Sequence, residues 1–533
     1  MRYSYLFIIL FLIGCSSGTT PVDNAVEAKV LHYGNGTEPQ GLDPHIVTGV
    51  PEHHLLLALC EGLTSSNPRG GESLPGSAAS WDISDDGKVY TFYLQENGKW
   101  SSGDDVTAED YVWSWQRILT PSLGSQYPDM LYYVQNAEEF HNGTIDDFSN
   151  VGVKALNNKT LEVTLKEPTP FFLGLLSHYS TWPVHKPTVL KHGTMDDRNG
   201  QWTRPGNFVC NGPFNLKTWE LNKKIVVDKN PLYWDADIVE LNEIHFYPIS
   251  NEMTEERMFR AGQLHVTSTF PSNKCEPNIQ EINPNIKIHP YMGTYFYRFN
   301  TANEALDDVR VRKALAYSID RQKIVESVTR CGQIPAYSFT PPGSNGFYPD
   351  TKIPYDVDLA RNLLKEAGYD SGEKFPVLEI LFNTSEGHRK VALAIQQMWQ
   401  QNLGINVELV NQDWKVYLSR EMIGDFQVSR AGWIGDYEDP NTFLDTMRPN
   451  RGNNKTRWDN YEFDGLLAKA NATLDQEERY KILMEAERLL IDEMPIAPIY
   501  TYVRVYQLHE DVKGWYPNIL SHHHPKYIRI ERD

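Results

Sequence analysis

Apolar positions along the chain alternate between a two-residue and a three-to-four-residue period, the patterns of strands and helices. Residues 30–32 predict a short strand ending at the turn dipeptide Asn35-Gly36. A loop punctuated by Pro and Gly fills 38–52, and helical spacing through His54, Leu57, Ala58 and Glu61 predicts a helix over 53–63. Residues 88–94 set Val89, Thr91 and Tyr93 against Tyr90, Phe92 and Leu94, a strand. Thr107 can cap a helix whose Asp110 lies three positions on, with Tyr111, Trp115 and Ile118 along one side. Residues 160–165 alternate again before Pro168 and Pro170.

The second half repeats the rhythm on a larger scale. Strands are expected at 224–227 and 243–247, then a helix at 252–261. Beyond Gly293, helices are expected at 310–319, at 359–367 closing on Gly368, and at 389–403 stopping at Gly404, before a strand at 405–409. Residues 479–492 form the last clear helix, and the apolar, aromatic run 497–506 returns the chain to its first domain. This succession predicts a mixed α/β fold. A length of 533 residues calls for about two or three domains.

The N-terminus carries a targeting pattern: Arg2, then an apolar run over 6–13 too short to span a bilayer. A polar stretch from Ser16 to Ala28 reads as a flexible tether. The formal net charge of -20 argues against nucleic acid as a partner. Cys60, Cys210, Cys275 and Cys331 allow three full pairings, and their spacing does not choose among them. No CxxC occurs. His53-His54 and His522-His523-His524 could suggest a metal site, but both read as solvated loop or helix surface, and no cofactor or metal is expected. HExxH, Walker A and GxGxxG motifs are absent, so no enzymatic activity is expected.

The candidate chemistry concentrates in Arg430-Ala431-Gly432-Trp433-Ile434-Gly435-Asp436. A cation, an open glycine, a large aromatic and an anion fall within one short run. These are the groups an extended peptide needs: main-chain pairing, a carboxylate for its ammonium and a guanidinium for its carboxylate. A strand end with solvated charges is the plainer alternative. The run resembles the matching segment of the periplasmic oligopeptide-binding proteins, the substrate-binding components of bacterial ABC importers. Leu42-Asp43-Pro44-His45, Gly49-Val50-Pro51-Glu52, Tyr111 through Arg117, Asp308 through Arg312, Thr340-Pro341-Pro342 and Val410 through Lys415 carry the same resemblance in the same order.

The resemblance implies a two-lobed periplasmic binding protein fold with an additional small α/β domain and the ligand enclosed between lobes. It divides the chain into a signal peptide (1–14), the tether (15–28), a first lobe built from 29–63, 182–292 and 504–533, the small domain (64–181) and a second lobe (293–503). Leu12-Ile13-Gly14-Cys15 resembles a lipobox, implying export and lipidation of Cys15 as the membrane anchor. Asp436 matches the family's partner for the peptide ammonium, Arg430 its partner for the carboxylate, and His388 the residue serving longer peptides. Gly49, Val50, Gly432, Trp433 and Ile434 match backbone-pairing positions; Tyr127, Tyr291, Tyr295, Trp414 and Tyr502 match side-chain pockets. Ile434 and Gly293 stand where members carry a disulfide, and a Lys of the family falls near Thr329, beside Arg330. Expected partners are short peptides and an ABC permease, with the chain a monomer. A dipeptide, a cell-wall peptide or a metal or haem ligand on the same fold stays open, as does a surface lipoprotein that no longer serves transport.

Overall fold

The computed structural model describes residues 19–276, 278–369, 375–449 and 451–532. The leader and Cys15 lie outside them. Two large sheets organise the rest. In the first, Val30–Gly34 pairs in parallel with Glu243–Tyr247, followed by Lys224–Lys229 and Phe214–Glu220. The second has six strands in the order Ile334–Pro335, Ile496–Gln507, Ile286–Phe299, Val428–Ile434, Leu378–Asn383, Val407–Gln412. A separate four-stranded antiparallel sheet orders Ala78–Ile83, Val89–Leu94, Thr160–Thr164 and Val153–Asn157.

Two long strands, Ile286–Phe299 and Ile496–Gln507, pair within the six-stranded sheet. Their pairing breaks between Pro290 and Thr294. The irregular stretch places Tyr291 and Tyr502 with ring centroids 6.1 Å apart. Cys275 and Cys331 are bridged beside it, in an apolar cluster with Phe270, Ile286 and Val505. The other bridge, Cys60–Cys210, joins the end of helix Val50–Leu59 to the turn preceding Phe214–Glu220. Closing loops of this length is worth about 4–5 kcal/mol each in the chain-entropy model.

Local signals account for the elements that hold the ligand-facing loops. Thr107 and Asp110 form the capping box of helix Ala108–Leu119, whose Tyr111, Trp115 and Ile118 are fully buried. The same helix sends Arg117 into the interior, where two guanidinium nitrogens donate to Asp43 at 2.9 and 2.6 Å. Two family-like motifs thus meet as one buried, bidentate ion pair, which fixes the 38–49 loop. Removing one partner strands a buried charge, a loss of about 3–5 kcal/mol. That loop ends sooner than expected, because helix Val50–Leu59 begins at Val50.

The stretch expected to be a tether folds in part. Pro21–Ala28 is a helix with a capping box between Thr20 and Asp23. It buries Val22 and Ala25, and the Val22 N–H donates to the Gly262 carbonyl at 3.0 Å.

Candidate functional site

The site is a cavity of about 360 Å³ between the large units. Its floor is the strand Val428–Ile434, paired along one edge with Ile286–Phe299 from Val428↔Phe299 to Ile434↔Gly293. Along the other edge, pairing with Leu378–Asn383 covers Val428 and Ser429 alone. Among the described residues, the Gly432–Ile434 backbone therefore has an open edge facing the cavity, the arrangement that accepts an added strand. Gly49 and Val50 also line the cavity, as does Trp414, which stacks on Tyr417 beside the floor. Gly49 has φ +143°, and an added Cβ would lie 2.6 Å from Glu52 Oε2 and 3.0 Å from the Trp414 ring. Only glycine fits so close a crossing in that conformation. Val50 follows as the first helical residue, whose N–H has no intrahelical acceptor.

Arg430 closes one end. Its side chain lies 4.7 Å above the Tyr295 ring and donates to Tyr502 Oη at 2.7 Å and Asn383 Oδ1 at 3.2 Å. The residue is 8% exposed, and its Nε is buried without a partner. Among the described residues no carboxylate lies within ion-pair distance of it. Burial opposes its charge, but Tyr502, Tyr295, Tyr417 and Tyr500 hold its pKa above the ordinary value. His388, on helix Glu386–Leu403, sits 5.7 Å from the Tyr295 ring; burial and then Arg430 push its pKa well down, so it stays neutral.

Asp436 closes the other end. Thr442 shapes the loop that carries it: its hydroxyl accepts from the Asp436 N–H at 3.0 Å, and its carbonyl from Trp433 Nε1 at 2.8 Å. The Asp436 side chain is 13% exposed, with His178 Nε2 at 3.4 Å. No Lys or Arg pairs with it among the described residues. Burial, then the charge of Asp129, raises its pKa well above the carboxylate range. The site thus holds, at opposite ends of one open strand edge, a buried carboxyl with no cation beside it and a guanidinium with no anion beside it, among the described residues.

The structure gathers Tyr127, Tyr291, Trp414 and Tyr502 around the cavity, but not Tyr295. Tyr295 is fully buried between Arg430 and the Tyr500 ring, so it supports the guanidinium from behind. Gly432 is small for a reason internal to the site: an added Cβ would meet Tyr502 Oη at 2.5 Å. Gly293 faces Ile434 directly, and a Cβ there would fall 2.4 Å from Ile434 Cδ1. Arg330 is exposed with φ +62° and does not line the cavity.

The histidine pairs correct the reading of a solvated surface. His53, His54, His522 and His524 are each under 9% exposed, and the first three line the cavity with His178. His53 packs on His522 at 4.4 Å and on His178 at 6.5 Å. Glu52 and Tyr179 also line or flank the wall without having been singled out. Glu52 is fully buried, accepts from the Gln40 N–H at 2.7 Å and from Trp414 Nε1 at 3.4 Å, and burial raises its pKa to about 7. The signal for His53-His54 was the unbroken apolar run Leu55 through Leu59 that follows them.

A closed, two-ended slot between two lobes defines a protein that encloses a ligand. Residues 72–455 match the model of the bacterial extracellular solute-binding proteins, family 5 (middle region). The chain belongs to this family, which is one of solute-binding proteins and not of enzymes. It is 38% identical over 515 residues to the periplasmic oligopeptide-binding protein OppA of Salmonella typhimurium, covering 93% of this chain and 92% of the relative. Haemophilus influenzae OppA in complex with RPPGFSPFR superposes with a TM-score of 0.90 at 34% identity, covering 95% of this chain and 99% of the other. The Escherichia coli murein tripeptide-binding protein MppA gives 0.90 at 35% identity over 95% of this chain and 99% of the other. The unliganded open form of MppA gives only 0.64 at the same identity, over 95% and 98%. The fold is therefore the two-lobed one, in an arrangement like that of the peptide complex.

Proposed function

We propose that this chain is the substrate-binding lipoprotein of an ABC importer, which captures short peptides in extended form between its lobes and delivers them to a membrane permease. One observation carries the reading: an open strand edge lies between an unpaired buried carboxyl and an unpaired buried guanidinium. From Arg430 to Ile434 the edge runs roughly 13 Å, four extended residues. Asp436 takes the peptide ammonium, and Arg430 takes the carboxylate of short peptides, with His388 serving longer ones. Gly49, Val50, Gly432, Trp433 and Ile434 pair with the peptide main chain, which leaves specificity broad. Tyr127, Tyr291, Trp414 and Tyr502 face its side chains.

In this reading the first lobe comprises 29–63, 182–292 and 504–533, the small domain 64–181 and the second lobe 293–503. The two long strands cross both lobe borders and serve as the hinge. Export, an anchor through lipidated Cys15 and a monomeric state complete the proposal.

Native mass spectrometry of the mature protein, prepared without its lipid-bearing Cys, followed by denaturation and sequencing of what is released, tests it. A ladder of mixed short peptides is expected. A single non-peptide species would instead indicate a specialised relative, and empty protein that ignores a random peptide library would overturn transport of peptides.

A further inference from the structure

Among the groups around Asp436, His178 is held by Ser180. Within the turn that His178 caps, the Ser180 N–H donates to its Nδ1 at 3.4 Å, and the Ser180 hydroxyl lies 2.9 Å from the same nitrogen. A backbone N–H can only donate, so with Nδ1 as its acceptor the hydroxyl donates there too and the ring proton sits on Nε2. That Nε2 lies 3.4 Å from Asp436 Oδ1, and His178 is 3% exposed. Resting on the proposed peptide reading, we infer that His178 is a positioning residue for the peptide amino terminus: its neutral imidazole presents Nε2–H to one Asp436 oxygen and leaves the other for the ammonium.

Neutrality is what the task requires. An imidazolium at this place would neutralise Asp436 and repel the incoming ammonium. The groups facing His178 come from four parts of the chain: Tyr127 at 4.9 Å, the adjacent Tyr179 at 4.1 Å, His53 at 6.5 Å, and Asp436. His522 stands behind His53. Burial, then His522, pushes the His178 pKa down to about 3, so the ring stays uncharged across the working pH range. Asp436 itself is faced by His178, Tyr127, Tyr179 and, through space, the charge of Asp129. A hydrogen bond to the charged form of a carboxylate favours ionisation. His178 thus partly offsets the burial and the Asp129 charge that resist it. The expected consequence for specificity is discrimination against peptides with a blocked amino terminus.

The test compares a random tripeptide library with the same library N-acetylated, by competitive binding to wild type, His178→Phe and His178→Gln across pH. H178F keeps a ring and removes the donor; H178Q keeps an N–H donor near the place of Nε2. Wild type is expected to prefer free amino termini. H178F should weaken the free library roughly tenfold, leave the acetylated library unchanged and move the pH midpoint of binding upward. H178Q should restore most of the preference and the midpoint. H178F that weakens both libraries equally, or neither, or leaves the midpoint in place, overturns the inference. Wild type that takes both libraries equally removes Asp436 as the ammonium site, and the role of His178 with it.

Discussion

The two ends of the slot are built differently. Everything that holds Arg430 belongs to the unit of the six-stranded sheet: Asn383, Tyr502, Tyr295, and Tyr417, whose hydroxyl donates to the Arg430 carbonyl. Asp436 hangs from the same strand, but its surroundings, Tyr127, Asp129, His178 and Tyr179, come from residues 127–179 on the other side. The guanidinium is finished within the unit of the six-stranded sheet, whereas the Asp436 carboxyl is buried where that unit meets residues 127–179. In the empty closed protein burial and the Asp129 charge keep the Asp436 carboxyl protonated; on the proposed peptide reading, an enclosed ammonium lets it ionise and form an ion pair. On that reading ligand and closure are coupled at the Asp436 end, while the Arg430 end offers a fixed docking point before closure.

The largest predicted effect breaks the coupled end. Asp436→Ala should cost about 3–5 kcal/mol of peptide affinity, because the ammonium is then enclosed without a counter-charge. Isothermal titration with a free-amine peptide reads this directly, and unchanged affinity would falsify the assignment. Arg430→Gln should cost somewhat less, about 2–4 kcal/mol for peptides with a free carboxylate. Amidated peptides should bind the variant and the wild type alike. An equal loss for both peptide types would instead mark Arg430 as structural support for the floor.

Much of the fold was legible because its signals are local. The Thr107 capping box, the helix stop at Gly404 and the alternation at 89–94 require only neighbours in sequence. The helix Pro21–Ala28 is equally legible in Thr20-Pro21-Val22-Asp23, but a polar segment after a leader has the composition of a spacer. The charged ends of the slot stood out as an unusual run of residue types. Tyr295 did not: strand periodicity cannot tell a side chain facing the cavity from one facing the core beneath Arg430. The histidines failed for the converse reason. The apolar run Leu55 to Leu59 hints that His53 and His54 are buried, but their meeting with His178 and His522 from positions far apart in the chain is encoded by no local pattern.

A pH series sharpens the contrast between the ends. In the closed protein without ligand, the Asp436 pKa is raised; a bound ammonium lowers it. The free protein therefore holds a proton that the complex does not, and binding releases it. Affinity should rise with pH through the window between the bound and free pKa values, with a slope of up to about tenfold per unit. Titrations in buffers of different ionisation enthalpy should report release approaching one proton. Arg430 stays charged throughout and adds nothing to this slope, and neutral His388 protonates only well below its usual range. Affinity that falls as pH rises would contradict a buried carboxylate as the ammonium site.

The smallest effect probes the prebuilt end. Tyr502 Oη accepts from Arg430 Nη2 at 2.7 Å, and the ring lines the cavity. Tyr502→Phe retains the ring and the space it fills but removes the acceptor. The guanidinium keeps Asn383 and the Tyr295 face, so its position should loosen without collapsing. A hydrogen bond to a charged group of this kind is worth about 1.5–3 kcal/mol, and part of it should return through the ligand carboxylate. We expect affinity for free-carboxylate peptides to fall roughly fivefold, with amidated peptides and the proton release at Asp436 unchanged. Calorimetry on the two peptide forms separates these outcomes. A shift in proton release would show that the two ends are energetically joined, and that Arg430 is not set independently of closure.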